Sequence, residues 1–226
     1  MKKNFLDEGK YFLLLGSLFL VLLIVPLREH QSMSATVNLV LYVLVLLSAI
    51  NAVAKRRKYV WYIVGTGLVS LFIRIVNHFT PDVSWLVFGH VFAFIFLTLT
   101  IVQILVAMFR EKTITYNTVA GSVCVYLLIG LSWGLLYMSI ALLNPASFAV
   151  GGQPVGRFDI ERIRQGVLLE FVYFSFETLT TLGYGDIIPL SPVVRSLAII
   201  EALIGPLYLT VLVARFVGLH ISSTIR

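Results

Sequence analysis

Six stretches of this chain are almost without interruption apolar, and their lengths identify them more clearly than any periodicity does. They cover residues 11–27, 35–54, 59–76, 85–109, 118–143 and 193–218, between 17 and 26 residues each, where crossing the hydrocarbon core of a bilayer takes about 20. Backbone groups surrounded by lipid must be satisfied within their own segment, so each stretch is predicted to be a helix. A seventh apolar segment, 167–180, has 14 residues and carries Glu170 and Glu177. It is too short to cross and is predicted to enter the membrane and return. Residues 144–166, with Gly151, Gly152, Pro154 and several charges, form a polar connection before it.

Composition agrees with this pattern. Of the 226 residues 59% are hydrophobic and 12% charged, against about 25% charged in a soluble domain, which excludes a freely soluble globule. The net charge of +6 does not point to nucleic acid, because its information lies in where the basic residues fall. Ten lysines and arginines lie in the amino-terminal, 55–58, 110–112 and carboxy-terminal pieces, and four lie in the alternate connections. Basic loops stay cytoplasmic, so both termini are expected inside a plasma or inner membrane. The cluster Lys55, Arg56, Arg57 and Lys58 reads as this topology signal, and it could also attract anionic lipids at about 1 kcal/mol per residue. The first stretch exceeds the usual apolar core of a secretory signal, roughly 7–15 residues, and is read as a span. The single cysteine, Cys124, rules out an intrachain disulfide and a cysteine-based zinc site.

The chemistry is concentrated after the short seventh segment, in Thr181-Leu182-Gly183-Tyr184-Gly185-Asp186. Two glycines flanking Tyr184 open backbone angles closed to other residues, so consecutive carbonyls can be turned toward one axis. One chain supplies only part of the ligands around such an axis, whereas four chains supply rings of oxygens that can replace the hydration shell of a monovalent cation. This segment resembles the potassium channel superfamily, whose filter reads TVGYG between a short pore helix and an aspartate followed by an inner helix.

The resemblance implies an all-α membrane protein of six transmembrane helices plus a re-entrant pore helix and filter, assembled as a homotetramer, with residues 1–112 as a peripheral four-helix region and 113–226 as the pore domain. It makes Thr181, Leu182, Gly183 and Tyr184 donors of carbonyls to K+, the permeant ion, with Gly185 closing the outer end and no cofactor required. Leu182 stands where valine is usual, which leaves its carbonyl available. Glu177 and Asp186 match an acidic pair that buttresses the filter and is expected to share a proton. Tyr173 and Phe174 fall among the supporting residues, Phe174 where many relatives have a tryptophan that bonds the filter tyrosine.

Other residues have plainer readings. Gly205-Pro206, inside the last span, is read as a gate hinge, because proline removes a helix hydrogen bond; a static kink or close packing is the alternative. Gly130 and Gly134 form a GxxxG spacing suited to helix packing. Glu201 and Arg215 should face protein, water or partner groups, and Arg74 can snorkel. His90 and Cys124 are read as interior residues. The fourth stretch carries no basic residue until Arg110 follows it, so a charged voltage-sensing helix is not expected. A rival reading, an intramembrane aspartyl protease, fits Gly183-Tyr184-Gly185-Asp186, but that chemistry needs two facing carboxylates, and Asp7, Asp82 and Asp159 all lie in polar connections. A poorly selective cation pore would keep the same architecture.

Overall fold

The computed structural model describes residues 9–24, 35–53, 57–80, 82–154 and 168–224. Its helices are α1 (Lys10–Ile24), α2 (Ala35–Val53), α3 (Arg57–Phe79), α4 (Val83–Arg110), α5 (Tyr116–Leu143), α6 (Leu168–Leu179) and α7 (Pro192–Thr224). A short 3-10 turn, Pro145–Ser147, and three short strands, β1 (Phe148–Val150), β2 (Gln153–Pro154) and β3 (Ile187–Pro189), complete the described elements. Within α3, α4, α5 and α7, segments of 18, 28, 28 and 31 residues are long and apolar enough to cross a membrane, which makes this a multi-pass membrane protein. The described apolar parts of α1 and α2, residues 10–24 and 39–53, are shorter, about 22 Å each at 1.5 Å per residue. The seventh segment forms the 12-residue helix α6, about 18 Å long and too short to cross.

The strands depart from the expected all-α class. They form one antiparallel sheet in the order β2-β1-β3, in which β1 pairs with β2 across the Gly151-Gly152 turn and with β3 across Ala149↔Ile188. Strands of two or three residues are too short to display alternation, and the partner of β1 lies almost forty positions away, which no local pattern can reveal. Of the residues counted for topology, Lys2, Lys3, Arg28, Lys55, Arg56, Arg157, Arg162, Arg164 and Arg226 lie outside the described residues.

Local chemistry sets where the helices begin and stop. Asp82 accepts the Ser84 amide at 2.7 Å to cap α4. Thr115 and Thr118 form a reciprocal capping box at the start of α5, which satisfies amides that have no intrahelical partner. Only residues 111–115 separate α4 from α5. So short a link makes the two helices antiparallel neighbours, and both α4 and α1 pack against α5. Helix α1 joins the same face: Tyr11, Leu14 and Leu18 are fully buried in a core with Phe96 and Ile104 of α4 and Cys124 and Leu128 of α5. Cys124 donates to the Tyr11 carbonyl at 3.3 Å.

Glycines in α5 admit its neighbours. A Cβ on Gly121 would lie 2.9 Å from the Tyr11 ring, one on Gly130 2.6 Å from the Phe176 ring, and one on Gly134 2.9 Å from the Val172 Cα. The GxxxG pair is thus the bed on which α6 lies. Overpacking such a contact costs about 1–3 kcal/mol. Gly134→Val should therefore lower the thermal midpoint of the purified protein by several degrees, whereas Gly16→Ala, with nothing within 4 Å, should leave it unchanged; differential scanning fluorimetry in one detergent compares the two.

Candidate functional site

The site is built on the end of α6. Helix hydrogen bonding ends there because the chain turns back: Thr180 still donates to the Phe176 carbonyl and Thr181 to that of Thr178, but the Leu182 and Gly183 amides both return to the single carbonyl of Glu177, at 2.8 and 3.2 Å. Beyond this point the backbone alternates in handedness. Thr181, Gly183 and Gly185 have φ of 58°, 56° and 79°, while Leu182 and Tyr184 keep negative φ. Left-handed backbone costs an L-residue about 1–2 kcal/mol. Glycine meets that demand at two of the three positions without penalty, and Thr181 is the only non-glycine with positive φ among the described residues. Alternating handedness gathers amides on one side and carbonyls on the other, as in backbone nests. Here the amide side of Leu182 and Gly183 is occupied by α6. The loop is exposed in the single chain, with Leu182 at 55% and Tyr184 at 69%.

Three side chains gather behind the loop. Glu177 is buried at 4% exposure; its carboxyl lies beside the Tyr173 hydroxyl, the Tyr184 amide and the Asp186 carboxyl, and its Oε2 has no hydrogen-bond partner. Tyr173 also lies beside Asp186. Burial, and then the negative charge of Asp186, raise the Glu177 carboxyl above its ordinary value. Asp186 additionally accepts the Ile187 amide at 3.0 Å. Phe174 faces elsewhere, into an aromatic cluster with Tyr137 and Phe148 at ring separations of 5.0 and 5.6 Å. The sequence-predicted residues Glu177, Tyr173 and Asp186 are thus brought together, and Phe174 supports them from the core without reaching the loop.

Helix α7 meets this assembly at two points. A Cβ on Gly205 would fall 1.9 Å from the Leu179 carbonyl oxygen, so close packing of α7 on the end of α6 by itself requires glycine there. Pro206 removes the amide that would have bonded the Ala202 carbonyl, yet α7 continues as one helix through it. One turn earlier, fully buried Glu201 accepts the Tyr137 hydroxyl at 2.7 Å and lies 2.5 Å from the Ser175 hydroxyl, itself 2.7 Å from the Gly130 carbonyl. One carboxylate thereby ties α5, α6 and α7 together. Further along α7, Arg215 donates to the Met108 and Glu111 carbonyls at 2.7 and 2.9 Å and stacks over Phe109. It caps the end of α4, where a cation also opposes the helix dipole. Both ionisable residues find neutral partners. Their presence in an apolar stretch signalled buried roles, but only the fold identifies the partners.

Residues 147–220 match the family model described as "Ion channel". The chain is also similar to the inward rectifier potassium channel Kirbac3.1 of Paramagnetospirillum magnetotacticum, with 36% identity over 87 residues, which is 37% of this chain and 29% of that protein. It thus spans less than a third of the relative it matches. No solved structure matches significantly.

Two outcomes test the groups at Glu201 and Glu177. Removing one partner from a buried polar group costs about 1–3 kcal/mol, so Tyr137→Phe should lower the thermal midpoint measurably while leaving the helix content seen by circular dichroism intact. The raised Glu177 group favours folding while it stays protonated, and this stabilisation is lost as pH climbs from the ordinary carboxylate value, about 4.3, through the higher folded one. Midpoints measured against pH should show that fall in the unmodified protein and a flatter profile in Glu177→Gln. The family model covers β1, α6, the Thr181–Gly185 loop and most of α7, and that portion of the chain is ion-channel-like.

Proposed function

We propose that this chain is the subunit of a homotetrameric potassium-selective channel in which the carbonyls of Thr181, Leu182, Gly183 and Tyr184 replace the water around a dehydrating K+. The observation that carries the reading is the alternating backbone handedness from Thr181 to Gly185, with the Leu182 and Gly183 amides drawn onto α6. In that arrangement the oxygens are left for the opposite, exposed side. Four such rows around an axis supply the ligand rings that one chain cannot. The carboxyl end of α6 adds the negative pole of its helix dipole at the entrance, and Gly185 closes the outer end.

Helix α7 supports the fourfold assembly. Of its membrane-crossing window 11% is buried, against 67% for α5, and Val193, Ile199, Leu203, Leu207 and Val211 are all exposed. The α7 helices of neighbouring subunits are the occupants that would cover this face around the pore. Gly205-Pro206 is the pivot about which the inner part of α7 bends to gate, with Gly205 seated on the end of α6 as the fulcrum. In this reading α1 and α2 also span, giving six crossings with both termini cytoplasmic in a plasma or inner membrane. Residues 1–112 form the peripheral unit and 113–226 the pore unit, and the Lys55–Lys58 cluster meets anionic lipid headgroups. Helix α4 carries no basic residue before Arg110, so gating does not use a charged sensor helix. The protease reading lacks a facing carboxylate of the required kind: the group beside Asp186 is Glu177.

Purified protein in liposomes should pass K+ in preference to Na+ by about tenfold or more, a difference of ~1.4 kcal/mol. Gly183→Ala, which forces a side chain into left-handed backbone, should abolish the flux. Equal K+ and Na+ flux through intact tetramers would reject this filter.

A further inference from the structure

The loop from Thr181 to Gly185 is held at two ends by different means. At its entry the holding group is the Glu177 carbonyl. At its exit it is the small sheet, and the sheet is built to transmit a constraint. Strand β1 is central, with β2 on one edge and β3 on the other. The ladder to β3 starts directly after the loop, where Gly151 donates to the Asp186 carbonyl at 2.9 Å, and closes where Leu190 donates to the Ser147 carbonyl at 2.8 Å. Phe148 of the same strand is fully buried and meets Phe171 and Phe174 of α6 edge to face at 5.0 and 5.6 Å. One strand therefore grips both the chain leaving the loop and the helix entering it.

The turn that delivers β1 to this position depends on its glycines. Gly151 and Gly152 have φ of 58° and 80°, two successive left-handed residues between paired strands. This is the type I′ arrangement whose twist matches that of a two-residue hairpin. No atoms crowd either glycine, so the requirement is for backbone handedness and, at Gly151, for the amide that bonds Asp186.

We propose that the Phe148–Pro154 hairpin is a clamp on the exit of the filter, with Gly151 as its positioning residue, and that it sets how long the pore stays conductive when permeant ions are scarce. The inference rests on the channel reading above. When an ion leaves a ring of carbonyls, the dipoles around the vacant centre repel one another, and only contacts with the surrounding protein hold the loop in place. Among those contacts the exit-side sheet, with the Glu177 and Tyr173 side chains behind Asp186, resists outward movement of Asp186 and Gly185, while the Glu177 carbonyl acts at the entry. Loosening the sheet should therefore leave selectivity in high K+ intact and hasten the loss of conduction in low K+.

Three variants separate the possibilities, each compared with the unmodified chain by K+ flux through reconstituted tetramers while K+ is lowered on both faces. Gly151→Pro removes the amide and fixes φ near −65°; it should speed the decay about fivefold, the order expected for one lost hydrogen bond. Gly151→Asn keeps the amide and tolerates left-handed backbone, and should stay within about twofold of the unmodified rate. The ladder bonds at 151/186 and 147/190 put Val150 and Ile187 opposite each other in a non-hydrogen-bonded pair, where Cα atoms approach to about 4.5 Å, close enough for a disulfide. Val150→Cys/Ile187→Cys, oxidised, should slow the decay, and reduction should reverse this even if the proline variant fails to assemble. Decay at the unmodified rate in assembled Gly151→Pro, or in the oxidised pair, overturns the clamp. An unmodified chain that conducts K+ and Na+ equally overturns instead the channel reading on which it rests.

Discussion

Two hydrogen bonds to one carbonyl, from the Leu182 and Gly183 amides to Glu177, organise everything around the loop. They end the short helix, reverse the chain and commit the amide side of the following residues to the protein. Such a segment has neither the ladder of a strand nor the repeat of a helix, and Thr181 adds the cost of left-handed backbone. A strained segment persists only where its surroundings over-determine it. The surrounding elements meet that requirement, with aromatic packing and a buried carboxyl group behind the helix, and a sheet beyond the loop.

The supports act at different depths. Gly130 and Gly134 let α6 settle against α5. Glu201 then fixes α7 to both through two hydroxyls. Removing a single hydroxyl leaves a buried carboxylate short of a partner, which is why a network of this kind behaves as a unit. Toward the opposite end of α7, Arg215 joins this helix to the Met108 and Glu111 carbonyls at the end of α4. Since α4 and α1 both lie on α5, the first helices of the chain are packed continuously with α5, α6 and α7.

Much of this was legible in the residues. Length and apolar content identify four of the six expected crossing helices, because lipid leaves the backbone one economical conformation, and observed bounds differ from the expected ones by a few residues where caps such as Asp82 and Thr115 lie outside the apolar run. The 14-residue segment, too short to cross, is a helix that ends inside the fold. The glycine pair around Tyr184 signalled unusual backbone angles, and both glycines have positive φ. The Gly151-Gly152 pair carried an equally local hairpin signal, but its partner strand did not, so the sheet was absent from a reading made along the chain.

What the sequence determined by itself follows from interactions that are local or shared with solvent: membrane residence, helix positions, and a loop in which glycines permit mixed handedness. What only the tertiary structure decided is pairing across distance. Tyr137 meets Glu201, Phe148 meets Phe174, Gly205 rests on the Leu179 carbonyl, and Gly151 holds Asp186. Each joins residues whose individual preferences name no partner, because a hydroxyl or an aromatic ring is satisfied by many neighbours. The choice among them is made only when all the helices pack at once.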